Sequence, residues 1–128
     1  MIYLLTAKRL DKGAVDQFIE EMRPFLQQDV QYDPSAVTKH LNNAEVTDAL
    51  ASYADALTRV VPFASGELES TLRTLADSRG LKAAALIHAT RVAVTGRAVS
   101  PGLFDVLELL GQERVTKRVR DAISFLPE

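Results

Sequence analysis

Residues 81–119 read LKAAALIHATRVAVTGRAVSPGLFDVLELLGQERVTKRV, three helical patterns in succession, punctuated by Thr95-Gly96, by Ser100-Pro101 and by Gly111. Lys82 to Thr95 is apolar around nearly its whole circumference, which predicts the most buried helix of the molecule. Its polar exceptions, His88, Arg91 and Thr95, fall at i, i+3 and i+7 and so share one narrow stripe. A second helix is expected from Ser100, a capping hydroxyl, with Pro101 at the first helical position and Leu103, Phe104, Leu107 and Leu110 facing inward. The third runs from about Gln112 to Phe125. It buries Val115, Val119, Ala122 and Ile123, and carries Arg114, Lys117, Arg118 and Asp121 on the opposite side.

The same period governs the upstream chain. Val15, Phe18, Ile19, Met22 and Leu26 make one apolar face of a helix from Ala14 to Leu26 that Pro24 ends or bends. Asp33 before Pro34 reads as a cap and a first-turn proline, with a short helix to about Leu41 and a break at Asn42-Asn43. Val46, Leu50, Tyr53, Ala54, Leu57, Val60 and Val61 predict a helix over Val46–Val60 closed by Pro62. Ser65 caps the next, with Leu68, Leu72 and Leu75 buried and Gly80 as its left-handed stop. Nothing alternates with period two. The expected class is therefore all-α, a compact helical bundle, divided into a helical linking part at 1–43 and a subdomain at 44–128.

Composition narrows the function. The 128 residues are 47% hydrophobic with no tryptophan, enough for one aliphatic core. There are no cysteines, and the apolar run of MIYLLTAKRL is too short for a signal peptide, which predicts a cytoplasmic protein with no membrane partner. The formal net charge of −2 is unevenly spread. Residues 1–80 hold eight basic against twelve acidic side chains, whereas 81–120 hold seven against three. That asymmetry points to a polyanion meeting the C-terminal third, or to an ordinary solvated face.

Catalytic chemistry finds little support. His40 and His88 stand too far apart for a local metal motif, and structural roles are expected for both. Glu20 and Glu21 diverge by about 100° on a helix and form no acid/base pair. No glycine-rich phosphate loop is present, and no cofactor or metal is expected.

Arg91-Val-Ala-Val-Thr-Gly96, then Ser100-Pro-Gly-Leu-Phe104, then Leu110-Gly-Gln-Glu-Arg114 closely resemble the C-terminal anticodon-binding region of bacterial glutamyl-tRNA synthetases. Upstream, Arg23-Pro-Phe25, Gln31-Tyr-Asp33 and Val37-Thr-Lys-His-Leu41 are similar to that family's link between its two anticodon-binding subdomains, so the likeness runs from about Val15 onward. The resemblance implies a helical module that binds the tRNA anticodon loop as a monomer. It would support aminoacylation of tRNA(Glu) when joined to the family's catalytic domain, whose signatures this sequence does not carry. It implies that Arg91 contacts the middle anticodon base and that Ser100, Pro101 and Leu103 surround the first two. Thr95, Arg97 and Gly102 complete that turn, and Arg114, Lys117 and Arg118 are expected either on phosphates or as surface charge that keeps the protein soluble. The family's upstream base-reading arginine is replaced, in ungapped register, by Asp11-Lys-Gly-Ala-Val15; Arg9 reaches its place only through a two-residue shift. The rival expectation is a free-standing relative acting as a regulatory or protein-interaction module.

Overall fold

The computed structural model describes residues 30–125, and they form six helices. In chain order these are α1 (Pro34–His40), α2 (Ala44–Leu57), α3 (Ser65–Ser78), α4 (Ala83–Thr95), α5 (Leu103–Leu110) and α6 (Gln112–Phe125). Among the described residues there is no strand, and no helix is long and apolar enough to cross a membrane. The helix expected over Ala14–Leu26 and the Asp11–Val15 register lie outside the described residues.

The local signals act much as their chemistry requires. Asp33 accepts the amide of Ser35 and leads into Pro34, whose missing N–H costs nothing in a first turn. Asn43 makes the break after α1 and at once caps α2 through Glu45 N and Val46 N. Gly80, Gly96 and Gly111 take positive φ and end α3, α4 and α5.

Three boundaries differ from the sequence pattern, two of them because a group far along the chain intervenes. Helix α2 stops at Leu57 rather than Val60, since Gln112 Nε2 donates to the Leu57 carbonyl at 2.7 Å and satisfies a terminal acceptor. Val61, expected on the buried face, consequently sits in a loop at 87% exposure. At α3 the cap is not Ser65 but Glu108 of α5, whose Oε1 accepts the Ser65 amide at 2.8 Å. And α5 begins at Leu103 instead of Pro101, because the Ser100 hydroxyl is directed elsewhere.

Helix α4 packs against all five of the others, as its apolar circumference demands. Leu86, Ala89, Val92, Ala93 and Val94 meet Leu50, Tyr53, Leu57, Leu68, Leu72, Leu107, Val115 and Val119 in one core. Burying each large aliphatic side chain contributes about 1.5–3 kcal/mol. Tyr53 is fully enclosed and its hydroxyl donates to the Leu68 carbonyl at 2.8 Å, so the polar tip is satisfied inside. Ala36 and Leu41 belong to the same core, so residues on both sides of the 43/44 boundary share one interior.

Candidate nucleic-acid interface

The C-terminal end of α4 is held by three donors from two parts of the chain, the 30–33 segment and α6. A helix leaves its last four carbonyls without internal partners. Here Tyr32 Oη donates to Ala93 O at 2.9 Å, Arg118 Nη1 donates to Val94 O at 3.0 Å, and the Asp33 amide donates to Gly96 O at 2.8 Å. Gly96 has φ +79°, and a Cβ there would run into the Gln31 carbonyl. Glycine is thus required twice, for the left-handed turn and for the close passage of the incoming 30–33 segment.

One turn before this anchored end stands Arg91, half-buried at the mouth of the Gly96–Gly102 connection. Its Nε donates to Ser100 Oγ at 3.1 Å, and Ser100 passes its own hydroxyl hydrogen to the Pro101 carbonyl at 2.7 Å. Its Nη1 lies 3.3 Å from His88 Nδ1. An arginine only donates, so His88 accepts through Nδ1 and carries its hydrogen on Nε2. The His40 ring from α1 stacks on His88 with centroids 5.0 Å apart and planes 29° from parallel. Burial lowers the His40 pKa, and His88, Lys39 and Arg91 push it the same way.

Desolvation also lowers the Arg91 pKa, but from so high a starting value that the guanidinium stays charged at neutral pH. Both of its protein partners are neutral. Among the described residues no carboxylate pairs with it, and neither hydrogen of Nη2 is taken. The result is a guanidinium fixed at Nε and Nη1, with Nη2 still able to donate and the ring-like plane set for stacking on a base. Around it Arg97 and Gly102 are exposed, Ser100 and Pro101 are partly exposed, and Val99 presents an apolar side chain at 80% exposure.

The structure therefore brings Arg91 onto Ser100, with Arg97, Pro101 and Gly102 on the same connection between α4 and α5 and at least partly exposed. Three other expected contact residues are placed differently. Thr95 is 4% exposed, and its hydroxyl donates to Arg91 O at 2.7 Å while accepting the Arg97 amide at 3.1 Å. It shapes the turn from within, because a hydroxyl beside a helix end finds the free backbone groups first. Leu103 is 3% exposed and belongs to the core as the first residue of α5. Arg118 is 5% exposed, not on the outer face of α6. Its position follows from spacing, since 115, 118, 119 and 122 stand at i, i+3, i+4 and i+7, and the arginine falls on the buried stripe. Burial lowers its pKa, as does nearby Arg114, while Tyr32 opposes the shift.

Arg114 and Lys117 are exposed on α6, apart from the Arg91 mouth in sequence and on a different helix. Lys117 donates to Asp121 at 2.6 Å, an exposed i, i+4 pair that contributes little to stability. The partnership of His40 and His88 was not visible in the sequence. His88 announced itself by sharing a stripe with Arg91, but nothing local connects it to a histidine 48 positions earlier. Among the described residues no group of three or more His, Asp or Glu side chains converges as a metal site would require.

A protein-family model described as "Anticodon binding domain" matches residues 9–123. Glutamate--tRNA ligase 1 of Syntrophomonas wolfei is 34% identical over 111 residues, covering 87% of this chain and 22% of that protein. Glutamate--tRNA ligase of Roseiflexus castenholzii is 41% identical over 108 residues, covering 83% of this chain and 21% of its own length. The chain thus spans about a fifth of the length of the relatives it matches. Among solved structures, a glutamate tRNA ligase from Elizabethkingia meningosepticum, in complex with its amino acid, superposes with a TM-score of 0.77. At 20% identity, over 85% of this chain and 21% of that one, it shares the fold.

Proposed function

The chain belongs to the anticodon-binding domain family, and from that membership we propose that it binds the anticodon loop of a tRNA, with Arg91 reading the middle base. The observation that carries the reading is Arg91 itself: held through Nε and Nη1 by two neutral partners, with Nη2 left to a ligand. Splayed single-stranded bases are recognised by stacking on such a plane and by hydrogen bonds to their edges. Ser100, Pro101 and Gly102 form the wall beside it, and Arg97 adds positive charge at the rim. Val99 offers an apolar surface for the face of a base, while Thr95 and Leu103 act by holding the wall in shape. Arg114 and Lys117 supply phosphate steering from α6.

In this proposal residues 1–43 link the module to its neighbour and 44–128 do the reading. The partner is the catalytic domain of a cytoplasmic glutamate-tRNA ligase, whose aminoacylation of tRNA(Glu) the module supports as a monomeric unit. The chemistry of ligation belongs to that other domain.

The test compares binding of two anticodon stem-loops, one with the glutamate anticodon and one with an abasic middle position. The parent protein should prefer the intact loop, and Arg91→Ala should weaken it by about 1–3 kcal/mol, the usual range for one bidentate or stacked base contact. Equal binding of both loops by the parent removes the base-reading role.

A further inference from the structure

Arg91 is long and flexible, and reading a base requires its guanidinium to be set in one plane before the RNA arrives. A free arginine side chain loses rotamer entropy when it is fixed. Two contacts pre-fix it. Ser100 holds Nε at 3.1 Å, and His88, one helical turn away, receives Nη1 at 3.3 Å. Two points held on one rigid plane leave the group little freedom to rotate.

His88 is itself constrained. Its ring stacks on His40, which arrives on α1, a helix whose lead-in is tied to α4 by the Asp33–Gly96 bond. Its Nδ1 must accept, so the hydrogen lies on Nε2. The order of support therefore runs from α1 through His40 to His88, and from His88 to Arg91.

We infer that His88 is a positioning residue for base recognition: its Nδ1 lone pair, in a ring plane set by the His40 stack, orients the Arg91 guanidinium toward the middle anticodon base. The inference rests on the reading of Arg91 given above and adds a determinant of specificity that does not itself touch RNA. It also assigns work to both histidines beyond satisfying their own surroundings.

A double comparison tests it. Discrimination, the ratio of affinities for the glutamate-anticodon stem-loop and its abasic-middle counterpart, is measured for the parent, His88→Ala, His88→Asn and Arg91→Ala. Asparagine places an acceptor oxygen where Nδ1 stood and lacks the second ring nitrogen. His88→Ala should cut discrimination by about fivefold to tenfold, the scale of one ordinary hydrogen bond, with unchanged affinity for the abasic loop. His88→Asn should recover most of it. A helix-packing role alone would be read as a lowered melting temperature and equal losses on both loops. Full discrimination by His88→Ala, while Arg91→Ala loses it, overturns the positioning role and leaves the Arg91 reading standing. Failure of His88→Asn to recover overturns the hydrogen-bond account. Full discrimination by Arg91→Ala overturns both.

Discussion

Arg91 and Arg118 lie 27 residues apart in the same basic third of the chain, and they have opposite occupations. Arg118 is buried and caps the end of α4 by donating to the Val94 carbonyl. Arg91 projects from the same helix, is held at Nε by Ser100 and at Nη1 by His88, and keeps Nη2 without a partner among the described residues. Charge counting along the sequence treats the two alike. What separates them is which acceptors are near: a helix end with unsatisfied carbonyls absorbs a guanidinium, whereas a neutral hydroxyl and an imidazole only orient one.

Gly96 lies between the two regions, and Gly96→Ala must adopt φ near +79° while its methyl displaces the Gln31 carbonyl. We expect a loss of about 3 kcal/mol in urea unfolding, combining left-handed strain with overpacking. An unchanged midpoint would show that the 30–33 segment does not pass there. Arg118→Ala comes next. It leaves the Val94 carbonyl without this donor and should cost about 2 kcal/mol of stability, with the salt dependence of RNA binding unaltered. A reduced salt slope would place Arg118 on the RNA after all. Lys117→Ala is the mildest. Its exposed pair with Asp121 contributes roughly 0.5 kcal/mol or less, but removal of one phosphate contact should lower the salt slope by about 0.9. An unchanged slope assigns Lys117 to surface solubility.

Much of the fold was legible because its determinants are local. Asp33-Pro34, Asn43 and the glycines at 80, 96 and 111 act within a few residues of where they stand, and the apolar circumference of 83–95 announced the central helix. The misplacements are long-range. Nothing near Ser65 signals that Glu108 will cap α3 from 43 residues away, or that Gln112 will close α2 from 55. At the site, the gathering of Arg91 with Ser100 and Pro101 was visible as a stop and restart around a turn, while the His40–His88 stack depends on how α1 is laid on α4. Arg118 is the instructive case. Its spacing from Val115, Val119 and Ala122 already placed it on the buried stripe, and residue type outweighed periodicity in the expectation that it faces solvent.

In the proposed binding mode the unpartnered Nη2 and the plane of the Arg91 guanidinium meet one particular nucleotide. A double-mutant cycle isolates it: binding free energies are measured for the parent and Arg91→Ala, each with the intact glutamate-anticodon stem-loop and with the loop abasic at the middle position. A coupling of about 1–3 kcal/mol between side chain and base is expected, with the melting temperature of Arg91→Ala close to that of the parent. Coupling within error of zero, with both loops weakened equally by the substitution, would contradict it.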